Sequence, residues 1–304
     1  MRSLGNFSLA FIAVLALTVA CSGTQPSSSE DARSSTSVDI LVQGAELSEL
    51  GPLLAALEEQ REVRIGTWYF WVGTIAGKSA VVSLTEVGPM NASAATALAI
   101  DHWKPRVIVN QGTSGAHDPR LKVRDIVLGV KNVEFNAYKT TPGKTGEGIS
   151  LDRVTPTTTK MRIGNVENRV SFTYFPSHPQ LVAQALRVPY KRGRVLPGIV
   201  GSGHQWNREM DRIEWLRKTY GSDVEDMEST YVAAVAYAFR IPFLSVRIVS
   251  DSEFYSPRFI RETGGECAEF VLDFIRAADF SSLTPVTHDA LPDATLPATL
   301  PVAP

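Results

Sequence analysis

The run Pro242-Phe243-Leu244-Ser245-Val246-Arg247-Ile248-Val249-Ser250-Asp251 decides how this chain folds. From Phe243 to Val249 the residues are mostly apolar and rich in β-branched types, which suits a strand covered on both faces. Arg247 is the exception, and a guanidinium inside such a strand needs an acid beside it, Glu225 or Asp226. The strand stops at the polar pair Ser250-Asp251. Helical periodicity precedes it over residues 228–239 and follows it over 266–278, giving a helix-strand-helix unit.

The same alternation extends towards the N-terminus. Strands are expected over 38–42, 79–85, 107–110, 125–130 and 195–200, and helices over 47–59, 91–102 and 207–220. The fold class that follows is α/β: a single domain, residues 38–279, with a mixed, mostly parallel central sheet flanked by helices. Residues 138–173, rich in Thr, Gly and Lys, break the rhythm and read as a long excursion near the ligand mouth.

In open α/β sheets ligands sit beyond the carboxyl ends of strands, so the polar residues there are the candidates for chemistry. Four such places stand out: Gly44-Ala45-Glu46-Leu47-Ser48-Glu49, Asn110-Gln111-Gly112-Thr113-Ser114-Gly115, Glu225-Asp226-Met227-Glu228 and Ser250-Asp251. The chain has no phosphate loop, paired-His metal motif, Gly-x-Ser-x-Gly elbow or CxxC pair, which argues against nucleoside triphosphate, zinc and serine-hydrolase chemistry. No metal and no cofactor are expected. His117 and His178 read as surface or loop histidines, and Cys267 as a small packing residue.

At these four strand ends the chain resembles the nucleoside phosphorylase superfamily, and within it the methylthioadenosine/S-adenosylhomocysteine nucleosidases. The resemblance runs from about Val38 to Ala278. It is carried by Asp226-Met227-Glu228 followed by the run at 242–251, and by Lys104-Pro105-Arg106 leading through residues 107–115 to Leu121-Lys122-Val123-Arg124-Asp125. The activity it implies is hydrolysis of the N-glycosidic bond of a purine nucleoside. By that resemblance Asp251 is the acid that protonates the departing base, and Glu49 orients and deprotonates the attacking water. Glu228 grips the ribose hydroxyls, with Met227 packed on the sugar. Thr113, Ser114 and Gly115 line base and ribose, Val87 on the loop after the second strand is a further substrate-binding residue, and Trp206 is the candidate to stack on the purine. Glu46 stands where these nucleosidases usually carry an apolar residue beside the substrate, Thr113 replaces a serine, and Gln205 sits where an aromatic residue is common.

Two other readings stay open. A phosphorylase would use phosphate instead of water and needs cations to hold it, yet neither Gly44-to-Glu49 nor Val87-Gly88-Pro89-Met90 contains an Arg. A nucleoside-binding protein that has lost the chemistry would have no reason to keep all three carboxylates. The small-molecule partner is therefore expected to be a nucleoside. A formal net charge of −2 offers no field to draw the protein onto nucleic acid. The resemblance also implies a homodimer.

The two ends carry the address. Arg2, the apolar stretch 9–19 and Ala20 before Cys21 form a signal peptide over residues 1–20, and Leu17-Thr18-Val19-Ala20-Cys21 resembles a bacterial lipobox. Lipidation at Cys21 would make this an exported, membrane-anchored lipoprotein, held only through that anchor. Residues 21–37 are expected to be a flexible tether, and 280–304, a Pro/Ala/Thr-rich stretch, a disordered tail.

Overall fold

A computed structural model describes residues 37–288. The expected signal peptide, Cys21 and all of the tether but its last residue lie outside the described residues, as does the tail from 289.

The chain runs β1 (Ile40–Gly44), a 3-10 turn (Leu47–Glu49), α1 (Gly51–Ala55), β2 (Glu58–Ile65), β3 (Trp68–Ile75), β4 (Lys78–Leu84), α2 (Pro89–Trp103), β5 (Ile108–Ala116) and β6 (Ile126–Glu134). An excursion follows, with β7 (Tyr138–Thr140), β8 (Val154–Pro156), β9 (Thr159–Arg162) and β10 (Arg169–Phe172), then β11 (Phe175–Pro176). The remainder is α3 (Pro179–Ala185), β12 (Val195–Ser202), α4 (Met210–Tyr220), β13 (Val224–Asp226), α5 (Ser229–Ala238), β14 (Phe243–Asp251) and α6 (Glu262–Ala277).

One mixed sheet organises the domain in the order β11-β6-β12-β13-β5-β1-β4-β3-β2, and β14 pairs with both β5 and β6. β1 lies parallel to β4 and β5, and β14 parallel to β5. The antiparallel share is larger than the helix-strand rhythm implies, because the β2–β3–β4 meander and the β14–β6 and β13–β5 contacts are all antiparallel.

Alternation along the strands divides the core into two layers. Ile40 and Val42 of β1, with Val109 and Val246, face the layer of α1, α3 and α6, where Leu53, Leu181, Val271 and Phe274 pack. Leu41, Val81, Ile108 and Phe243 face α2 and α5 through Ala95, Ala99, Val232 and Ala236. Each fully buried Ile, Leu or Val contributes about 1.5–3 kcal/mol relative to exposure, so both layers hold the sheet rigid beneath its strand ends.

Several expectations are corrected. The helix expected over 47–59 is a 3-10 turn and one short helix, after which Glu58–Ile65 forms edge strand β2 and Glu59 adopts a positive φ of 52°. The excursion does not approach the ligand mouth: Ile163 and Phe172 pack over α5, with the Phe172 ring 5.2 Å from that of Tyr237. His117 and His178 are buried rather than superficial. The former accepts or donates at Nδ1 to Ser222 Oγ (2.9 Å), and the latter contacts Thr284 O through Nε2 (3.0 Å). The tail expected from 280 is packed at its start, with Phe280 buried in the core and His288 Nε2 2.8 Å from Tyr237 O.

Candidate active site

Asp251 ends β14 opposite Gly115 of β5, just after a register shift that follows Val249. Such a bulge re-aims the side chain that follows it. Ser250 Oγ donates to Asp251 Oδ1 at 2.6 Å and is also 3.0 Å from Ser114 O; its single proton serves one acceptor at a time. Burial pushes the Asp251 carboxyl above the usual carboxylate range and the charges of Glu225 and Glu253 add to that, against the opposing hydrogen bonds of Ser250 and Trp206. A shift in this direction favours the protonated form that can act as a general acid.

Glu49 occupies the turn after β1 and is held by four donors. Oε1 accepts from Thr113 N (2.9 Å) and Thr113 Oγ1 (3.0 Å), and Oε2 from Ala45 N (2.9 Å) and Glu46 N (3.3 Å). Gly112 permits this closeness, since a Cβ there would lie 2.7 Å from Glu49 Oε1 and 2.6 Å from Arg247 Nη1.

Glu228 immediately precedes α5, and its Oε1 accepts from Gly88 N at 2.9 Å. Gly88 precedes α2 with a φ of 97°, so a glycine is needed to present that amide. Burial raises the Glu228 pKa and the Asp226 carboxylate raises it further; the positive charge of Arg247 and the Gly88 amide oppose them. Arg247 lies buried behind both acids. Its Nε donates to Asp226 Oδ2 and, at 3.0 Å, to Ser229 Oγ; its Nη2 donates to Asn110 Oδ1 and lies 3.9 Å from Glu228 Oε2. Of the two acids expected to pair with it, Asp226 does so. Glu225 points the other way, accepting from Asn207 N at 2.8 Å, with His117 Nε2 3.2 Å from its Oε2.

These side chains share one cavity of about 320 Å³. Glu49, Thr113, Ser114, Gly115, Met227, Glu228, Asp251, Val87 and Trp206 all line it, so every candidate site residue within the described range meets the others. Trp206 is half exposed and its ring packs edge-on against Phe259, 5.9 Å between centroids. Glu46 and Gln205, noticed in the sequence only as departures from a family pattern, also form its wall. Phe259 and Arg261 line it too, and no motif pointed to them. A surface cleft of about 660 Å³ beside α3 and α6 is larger, but its charged groups, among them Arg187, Asp273 and Asp279, are exposed side chains. Among the described residues no group of three or more His, Cys, Asp or Glu is placed to hold a metal ion.

Comparison with known proteins agrees with this geometry. Residues 39–278 match the phosphorylase superfamily. A 5′-methylthioadenosine/S-adenosylhomocysteine nucleosidase of Marinomonas sp. (strain MWYL1) is 29% identical over 211 residues, covering 68% of this chain and 83% of that protein. One from Staphylococcus carnosus (strain TM300) is 24% identical over 241 residues, covering 77% and 97%. Among solved structures, the Neisseria meningitidis 5′-methylthioadenosine/S-adenosylhomocysteine nucleosidase in complex with methylthio-immucillin-A superposes with a TM-score of 0.64 at 22% identity, covering 79% of this chain and 99% of that one. Futalosine hydrolase of Helicobacter pylori strain 26695 gives 0.63 at 18% identity, covering 78% and 97%. With the family match spanning β1 to the end of α6, the chain belongs to the phosphorylase superfamily.

Proposed function

We propose that the protein hydrolyses the N-glycosidic bond of a purine nucleoside, releasing free base and free sugar. The observation that carries this reading is the meeting of Glu49, Glu228 and Asp251, from three different strand ends, in one cavity. Bond cleavage leaves negative charge on the purine and positive charge on the sugar ring. Asp251, whose surroundings favour its protonated form, delivers a proton to the base. Glu49, fixed by its four donors, orients water at the anomeric carbon and takes its proton as the C–O bond forms. Glu228 accepts from the ribose hydroxyls, whose hydrogen bonds strengthen as the ring flattens. The curated relatives named nucleosidases support the same reaction class.

Water rather than phosphate fits the charges present. Arg247 is engaged with Asp226 and Asn110, and Arg261, which lines the cavity, stands beside the Glu46 carboxylate, whose negative charge opposes a dianion. Incubating the protein with purine nucleosides with and without inorganic phosphate tests this. Free base and free sugar in both conditions are expected, and sugar 1-phosphate would instead identify a phosphorylase.

For Glu228→Ala, both KM and kcat are expected to suffer. Glu228 is the proposed acceptor for both ribose hydroxyls, and each hydrogen bond contributes about 0.5–1.5 kcal/mol, so kcat/KM should fall by about tenfold or more. A wild-type KM would remove Glu228 from ribose binding.

Export and lipid anchoring at Cys21 belong to the same proposal and rest on the N-terminal sequence; the intact mass of the mature protein tests them. A homodimer is proposed with them, supported by the exposed apolar side chains of Leu47, Val87 and Met90, and sedimentation velocity is its test.

A further inference from the structure

The wall of the cavity carries an ion pair that the proposed reaction does not use. Arg261 Nη1 lies 3.3 Å from Glu46 Oε2, and Ser48 Oγ donates to the same oxygen at 3.3 Å. All three residues line the cavity. The side chains of Glu46 and Arg261 are 45% and 67% exposed, and pairs so open to water add little to stability. Lining a nucleoside-sized cavity, these charges stand where a bound ligand would meet them.

Their position identifies the part of the ligand they meet. Glu46 is one hydrogen bond from the carboxylate at the anomeric carbon, through its N–H to Glu49 Oε2. Arg261 opens α6, whose Gly264 packs so tightly on Glu49 that a Cβ there would come within 2.9 Å of Glu49 Cγ. Both members thus flank Glu49. Asp251 and Trp206 take the base, and Glu228 and Met227 take the ribose diol. That leaves the exocyclic 5′ carbon for the wall formed by Glu46 and Arg261.

We propose that Glu46 and Arg261 form the subsite for the 5′ substituent, and that the protein takes purine nucleosides with a polar or charged 5′ group in preference to those with an apolar 5′ thioether. This rests on the nucleosidase reading above. A 5′-hydroxyl both donates and accepts, matching the Glu46 carboxylate and the Arg261 guanidinium, whose side chain has one hydrogen-bond partner among the described residues. A zwitterionic 5′ chain matches them by charge. A methylthio group offers neither and would strip water from the pair without replacing it.

The test compares adenosine, S-adenosylhomocysteine and 5′-methylthioadenosine with the wild type and with Glu46→Leu, Arg261→Leu and the double variant. For the wild type, kcat/KM for adenosine and for S-adenosylhomocysteine should each exceed that for 5′-methylthioadenosine by about tenfold or more. The double variant should lose that preference by at least about tenfold, with an unchanged unfolding midpoint. Base release that is fastest from 5′-methylthioadenosine, or a preference untouched in the double variant, overturns the subsite while leaving the nucleosidase reading in place. If no base is released from any of the three, the nucleosidase reading fails. Calorimetric binding of the same compounds to the wild type then decides the subsite alone, and equal affinities, tightest binding of the thioether, or no binding overturn it.

Discussion

Asp251→Asn is expected to lower kcat by about 10²–10⁴-fold, the range for removing a positioned general acid, while KM stays within about threefold of wild type. The substitution keeps volume and shape, and its amide oxygen still accepts the Ser250 hydroxyl, 2.6 Å from Oδ1 in the native protein. What it loses is the proton delivered to the leaving purine, an interaction made only as the bond breaks. Because the protonated carboxyl is the working form and burial raises its pKa, wild-type kcat should decline as pH rises through that raised value. The Asn variant should lack that alkaline limb. Single-turnover measurement of base release across pH checks both statements, and wild-type turnover in the variant would take Asp251 out of the reaction.

Much of this site was legible because its parts sit where strands stop. The apolar run 243–249 announces a buried strand, and a buried strand ending in Ser-Asp places that acid above the sheet. Other parts were hidden for physical reasons. β2 reads Glu-Glu-Gln-Arg-Glu-Val-Arg-Ile, with no apolar alternation in its first half, because an edge strand wet on both sides needs none. Glu225 and Asp226 look interchangeable as partners for Arg247, but neighbours on a strand point to opposite faces. Asp226 therefore meets Arg247, and Glu225 meets His117 and Asn207. His117 and Phe280 are single residues whose burial depends on tertiary neighbours far along the chain, so composition around them carried no sign of it. The Glu46–Arg261 pair spans 215 positions, and only the closed fold brings it to the cavity wall.

Arg247→Met should be the most damaging substitution for stability. Arg247 is 2% exposed, is ion-paired with Asp226, lies 3.9 Å from Glu228 and stands within the field of Glu49. Methionine fits the space left by the stem but leaves these carboxylates in a buried region with no cation among them. Breaking a buried pair from one side costs about 3–5 kcal/mol. Asp226 also accepts from Ser229 N at 3.1 Å at the start of α5, so the loss reaches the helix that carries Glu228. The deficit should depend on pH in a defined sense. Without Arg247 the folded-state pKa of Glu228 rises further above its unfolded value. Its contribution is then fully present below the ordinary glutamate range and is lost as pH rises through the folded value. Urea midpoints of variant and wild type should therefore converge towards acid pH and separate towards neutrality. Arg247→Lys restores the charge but not the fork that reaches Asp226, Ser229 and Asn110 together, and should fall between them. Equal midpoints at neutral pH for wild type and Arg247→Met would mean that the carboxylates are held apart by something other than this cation.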